Sequence, residues 1–307
     1  MKRRAKGDPP YWLRAFIFWG ISWSIASLLV ILGADFYAVI VPLNSRFVYY
    51  SLLIAATTAF IMTRLVDNRP LISLGLRISR LCPFYLLAGT LVGLLVHMII
   101  MVYIIVVVYK RHLIAPFVTF TPEAPLYLAR DFAVALTEEL YYRSYILQSL
   151  ITSMGKLPAV LLVSLAFGFS HFNDWKFTVS AIMFGILLSV FYVRTQSLWL
   201  PIGFHFGWNF ASRGSLFFLS GSEPLEIGQD IHYVTNAIVL ALGILLALLL
   251  PLRPHPRDRE LWDRYVKPAP WPPWRRRAEE PHELEVPGSD GGDRREPSAG
   301  QGDKDSD

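Results

Sequence analysis

The sequence predicts an all-α polytopic membrane protein, a bundle of about eight transmembrane helices followed by a disordered C-terminal tail. Three observations carry that expectation. Of the 307 residues 53% are hydrophobic and only 17% charged, well under the roughly 25% charged residues of a soluble domain. Apolar runs of about 20 residues recur along the chain, the length that crosses a hydrocarbon core as a helix. The basic residues sit in links and tails beside those runs, the pattern of the positive-inside rule. The net charge of +5 is therefore no nucleic-acid signature.

The charged start MKRRAKGDPP leads into a first span over 11–33, too long and aromatic for a cleaved signal and flanked by Trp12, Trp19 and Trp23. A second span covers 47–66. The basic, proline-punctuated stretch 67–83 reads as a surface loop. Its end holds the single cysteine, Cys82, which excludes an intramolecular disulfide or a multi-cysteine metal site and reads as packing filler. The third span, 84–108, has no formal charge, and its His97 reads as a hydrogen-bonded core histidine. A loop over 109–128 leads to the fourth span, 131–151. After a break at 152–156 come spans over 157–172, 177–193, 197–212 and 232–252. Eight crossings place both termini on one side, and the basic residues put that side in the cytoplasm, at the plasma membrane if the source is prokaryotic.

The transmembrane domain is thus expected over 1–252 and a soluble tail over 253–307. The first part of the tail, WDRYVKPAPWPPWRRR, mixes Trp262, Tyr265, Trp271 and Trp274 with arginines and suits the headgroup region of an anionic leaflet. Residues 278–307 are acidic, rich in Gly, Ser and Pro, and read as disordered.

The fourth span carries Glu138, Glu139 and Arg143. A charge at mid-membrane costs about 2.5–3.5 kcal/mol on insertion scales, so it persists where it pairs, lines a wet cavity or does chemistry. Glu139 and Arg143 are four residues apart and share a helix face, a ready structural pair. That leaves Glu138, which is either a neutral carboxyl in a dry core or a functional group. The spans after it bring further polar groups. His171 closes the fifth, in Phe167-x-x-x-His171, and His205 with Asn209 lie four apart on the seventh. Counting ~1.5 Å per residue puts Glu138 and His171 at similar depth, with His205 nearer the other face unless Pro201 breaks its helix.

Glu138-Glu139-x-x-x-Arg143, Phe167-x-x-x-His171 and His205-x-x-x-Asn209, in that order and each on an expected span, resemble the three motifs of the CPBP intramembrane proteases, the CAAX-processing and bacteriocin-immunity group. The resemblance covers about 125–212. It implies a helical membrane protein that cleaves peptide bonds in a polar cavity within the bilayer, acting on a peptide or membrane-protein substrate. On these residues it implies Glu138 as the carboxylate that activates water, with His171 beside it. His205 and Asn209 would donate to the oxyanion, while Glu139 and Arg143 would orient Glu138 or set its charge. Glu138, His171 and His205 are also ligand types of a catalytic zinc site, so a divalent metal stays open beside metal-free glutamate catalysis. Two non-protease readings remain: a membrane scaffold or immunity protein on the same fold, and a proton-coupled transporter. No Gly-x-Ser-x-Gly, cysteine nucleophile or phosphate-binding loop is present, and seven histidines are too few for a membrane di-iron oxygenase.

Overall fold

The computed structural model describes residues 9–31, 45–110, 124–171, 174–212 and 229–267. The acidic tail over 278–307, Trp271 and Trp274, most of the expected 109–128 loop and both residues after His171 lie outside the described residues. Among those described, every regular element is helical. They are α1 (Tyr11–Ile31), α2 (Ser45–Phe60), α3 (Cys82–Tyr103), α4 (Ala124–Glu139), α5 (Leu147–Met154), α6 (Lys156–Ser170), α7 (Trp175–Thr195), α8 (Trp199–Ser212), α9 (Gln229–Leu249) and α10 (Pro256–Tyr265). Three π-helical segments were not expected from the sequence: Ile61–Val66 after α2, Ile104–Val108 after α3, and Leu140–Ile146 joining α4 to α5. Such wide turns are rare and concentrate at functional sites.

Among the described residues, three helical stretches are long and apolar enough to cross a membrane: Cys82–Val108, Trp175–Thr195 and Asp230–Leu249. The stretches Tyr50–Val66 and Lys156–Ser170 are apolar but shorter. The expected eight crossings are not confirmed by the described helices. The seventh expected span is a helix of 14 residues, and the fourth is interrupted by buried charge. The outer surface is that of a protein in lipid. On α3, Leu87, Leu91, Leu95 and Ile99 form an exposed stripe at four-residue spacing, and α9 exposes Leu242, Leu245, Leu246 and Leu249.

The closest helix pair is α3 against α8, and four glycines explain it. Gly89 and Gly93 face α8, Gly203 and Gly207 face α3, and a Cβ on any of them would collide with the backbone of the other helix. This is two-sided packing of the small-xxx-small kind, which lets backbones approach without intervening side chains. It seats α8, and with it His205, deep in the bundle.

The stretch 67–83 is not a surface loop. Arg69, Ser73 and Leu74 are buried, and a 3-10 turn spans Leu71–Leu74. Gln148 on α5 is the reason. Its amide donates to the Ser73 carbonyl (2.8 Å) and to Tyr192 Oη (2.6 Å), and its Oε1 accepts from Arg69 (2.6 Å). Tyr192 Oη passes its own proton to the Leu74 carbonyl (2.9 Å). A buried amide with both donors and its acceptor used is a stable tie between segments far apart in sequence.

The region after Arg253 also departs from expectation. The helix α10 docks on the bundle, and Trp262, expected among headgroups, is 4% exposed with its ring edge-on to Tyr192 at 5.4 Å. Arg77 fixes the helix through a two-pronged pair with Asp258 (2.5 and 3.2 Å) and a contact to His255 (2.7 Å). A bidentate guanidinium–carboxylate pair is the geometry in which such a contact contributes most.

Candidate active site

The site is built by four helices. The α4–π–α5 rod supplies Glu138, Glu139 and Arg143; α6 ends in His171; α8 carries His205; and α7 closes the floor through Gly185. Arg143 begins the account because it is a fully buried charge. Its guanidinium meets Glu139 Oε1 at 3.1 Å and the Gly185 carbonyl at 3.4 Å, and it lies over the Phe167 ring at 4.3 Å. The sequence reading of Glu139 and Arg143 as a pair holds. Gly185 matters because a Cβ there would press on Ser164 of α6 and on the guanidinium itself.

Glu139 has a second partner. His205 Nδ1 lies 2.9 Å from Glu139 Oε1. An ionised carboxylate only accepts, so His205 donates there and its Nε2 carries the free lone pair when the ring is neutral. The sequence-level count had put His205 nearer the other face. Pro201 lies within the first turn of α8, which begins only at Trp199, and the glycine contacts with α3 set the depth of that short helix instead.

His171 is oriented the same way by different means. Its Nδ1 is 2.9 Å from the Phe167 carbonyl, an acceptor only, so the ring donates there and again presents Nε2. Phe167 lies against the imidazole with ring centroids 4.5 Å apart and planes tilted by 39°, so the Phe167-x-x-x-His171 spacing both packs and hydrogen-bonds the histidine. Asp174, three residues beyond His171, caps α7 by accepting from the amides of Lys176 (2.7 Å) and Phe177 (3.0 Å). An aspartate just before an apolar run is a legible start signal.

Both Nε2 atoms face one oxygen. Glu138 Oε2 lies 3.5 Å from His171 Nε2 and 3.7 Å from His205 Nε2. It is itself buried without a hydrogen-bond partner. These separations are slightly beyond direct hydrogen bonds, and three acceptor atoms around one point call for a proton or a water. Glu138 and His171 side chains are 23% and 32% exposed, whereas Glu139 and His205 are at 0% and 4%. The cluster thus has an open side, occupied by Glu138 and His171, and a sealed side that positions it. Asn209 is half-buried one turn beyond His205, and among the described residues no hydrogen bond joins its side chain to the other five.

The donor set resembles a zinc site in type, but among the described residues no group of three or more His, Cys, Asp or Glu side chains is placed to hold a metal ion. His97, read from the sequence as a hydrogen-bonded core histidine, is buried and edge-on to Trp208 at 4.8 Å, but its Nδ1 lacks a hydrogen bond, so the burial is as expected and the hydrogen bond at that atom is not. What sequence reasoning missed around the site is Phe184, whose ring packs 5.0 Å from His205, and Gly185; neither carries a polar signal that would have marked it.

Residues 120–211 match the family model described as type II CAAX prenyl endopeptidase Rce1-like. No curated protein matches the chain.

Proposed function

From residues 120–211 as a Rce1-like domain, we propose that this integral membrane protein is an intramembrane endopeptidase in which Glu138 activates the attacking water. The observation that carries the reading is the unpartnered Glu138 Oε2 flanked by the two imidazole Nε2 atoms at 3.5 and 3.7 Å. A water seated there gives a proton to the Glu138 carboxylate as its oxygen bonds to the scissile carbonyl carbon. The carbonyl oxygen takes the negative charge and accepts a hydrogen bond that a protonated His205 or the Asn209 amide is suited to donate. The C–N bond then breaks as Glu138 returns the proton to the leaving nitrogen, so the carboxyl serves as base and then as acid. His171 holds the water and Glu138. Glu139 and Arg143 do not touch substrate; they hold His205. Two carboxylates against one guanidinium leave one negative charge, which a single proton shared between Glu138 and the imidazoles balances.

The substrate class proposed is a peptide carrying a lipid near its cleavage site, as the description of the matching family names. A groove of about 120 Å³ with a wholly apolar lining runs between α1, the π segment and α6, past Phe16, Trp19, Ile146, Leu162 and Ala166 to Tyr142. Tyr142, in its lining, packs on Phe167, ring centroids 5.2 Å apart, and Phe167 in turn packs on His171. The test is hydrolysis by purified, reconstituted protein of a prenylated peptide with a C-terminal CAAX sequence, against the same peptide unprenylated. Cleavage of the prenylated form lost in Glu138→Gln supports the reading. Equal cleavage of both forms would keep the protease and remove the lipid. The orientation proposed has both termini in the cytoplasm.

A further inference from the structure

The turn that carries His171 holds a hydroxyl with no part in the proposed reaction. Ser170 Oγ–H donates to the Phe167 carbonyl at 2.7 Å. With its one proton spent there, Ser170 Oγ can only accept from His171 Nδ1, which lies 3.2 Å away. The Nδ1–H is thereby shared between the Phe167 carbonyl (2.9 Å) and the Ser170 hydroxyl. Both acceptors demand the same tautomer. It is the one that leaves the lone pair on Nε2, which faces Glu138 Oε2 at 3.5 Å.

A hydroxyl oxygen accepts two hydrogen bonds, and the second at Ser170 comes from Tyr142. Tyr142 lies in the π segment Leu140–Ile146, four residues after Glu138, and its hydroxyl interacts with that of Ser170. Ser170 has no proton left to give, so the phenol donates. Packing accounts for the tyrosine ring: Tyr142 is 9% exposed, edge-on to Phe167 at 5.2 Å and beside the Arg143 guanidinium at 5.7 Å. Packing does not account for the hydroxyl, since phenylalanine would fill the same space with no O–H to satisfy. His171 needs that support. It follows the last residue of α6 and its side chain is 32% exposed. An imidazole tautomer is set by the hydrogen bond its other nitrogen makes, so an acceptor lost at Nδ1 loosens the definition of Nε2.

We propose that Tyr142 is a positioning residue for the reaction, fixing the orientation and tautomer of His171 through the Ser170 hydroxyl. The proposal rests on the peptidase reading. Tyr142 also lines the apolar groove, and phenylalanine in its place keeps that wall. Loss of the hydroxyl therefore acts on turnover and leaves substrate affinity as it was.

The experiment uses the full chain in neutral detergent with the prenylated CAAX peptide. Tyr142→Phe and Ser170→Ala are each expected to lower kcat about tenfold, the scale of one hydrogen bond, with KM unchanged. The double variant is expected to lose no more than either alone, because both cut the same relay. The tautomer is read without substrate, from the imidazole nitrogen resonances of histidine-labelled protein, with His171 assigned by difference from His171→Ala. The wild type is expected to show the Nδ1–H form and Tyr142→Phe a mixture of the two. Losses that multiply in the double variant, a change confined to KM, or an unaltered His171 tautomer in Tyr142→Phe would overturn the proposal. Failure of the peptidase reading looks different: Glu138→Gln then cleaves as the wild type does, while the His171 resonances still respond to Tyr142→Phe. That outcome keeps Tyr142 as the support of His171 and removes only the reaction it serves.

Discussion

His205 Nδ1 meets Glu139 Oε1 at 2.9 Å, and the same oxygen receives Arg143 Nη1 at 3.1 Å. Glu139 is thus shared between a histidine on α8 and an arginine on its own rod, and it couples the geometry of the two. Glu138, its neighbour in sequence, points to a different role because the helix turns it toward the open side. Adjacent glutamates have separated into a sealed carboxylate and an accessible one, which the proposed mechanism casts as the positioning group and the reacting group.

Removing Arg143 should cost stability as well as activity. Arg143→Ala leaves Glu139 buried beside His205 alone, and breaking a buried pair by deleting one partner costs about 3–5 kcal/mol. The expected result is a large fall in the unfolding midpoint in detergent together with loss of cleavage. Wild-type stability would remove the pair from any structural role.

His171→Ala should behave oppositely. The side chain is 32% exposed and its Nε2 meets Glu138 at 3.5 Å, so the fold is expected to persist. Turnover should fall at least ~10²-fold, the scale of a positioned acid–base group. Undiminished turnover in a stably folded His171→Ala protein would take His171 out of the site.

The glycine contact between α3 and α8 gives a prediction remote from the chemistry. Gly207→Val places atoms against the Thr90 carbonyl, and the helices must separate, which carries His205 away from Glu138. Overpacking of this kind costs about 1–3 kcal/mol or more, and expression, midpoint and activity are expected to fall together. Gly20→Ala is the control, since a Cβ there meets nothing within 4 Å; its midpoint should stay within experimental error of the wild type or rise.

Gln148→Leu tests the polar tie between the 67–75 segment and α7. It removes the acceptor of Arg69 Nη1 and the donor to the Ser73 carbonyl and leaves Tyr192 Oη with only its bond to Leu74, at about 1–3 kcal/mol for each unsatisfied group. A lowered midpoint and increased proteolysis near residues 67–75 are expected, and an unchanged midpoint would show that water or neighbours replace the amide.

The site was legible in the sequence where polar residues stood out against apolar runs. Glu138, Glu139, Arg143, His171 and His205 each break a hydrophobic segment, and the four-residue spacing of Glu139 and Arg143 names that pair. The depth of His205 was not legible, because counting residues assumes full-length spans and α8 is short and held by glycines. The pattern Gly89-x-x-x-Gly93 with Gly203-x-x-x-Gly207 was the available signal. The Gln148 network and the docking of α10 depend on single contacts across more than a hundred residues, such as Tyr192 to Leu74 and Arg77 to Asp258, and no local pattern encodes those. The π turn after Glu139 likewise leaves no mark in composition.

The most direct test of the central claim compares the peptide termini of membrane proteins in cells carrying the wild type or Glu138→Gln at matched protein levels. The account predicts termini present with the wild type and missing with Glu138→Gln, and those termini identify the substrates. Identical termini in the two, with Glu138→Gln rescuing whatever a deletion strain lacks, would contradict catalysis by Glu138.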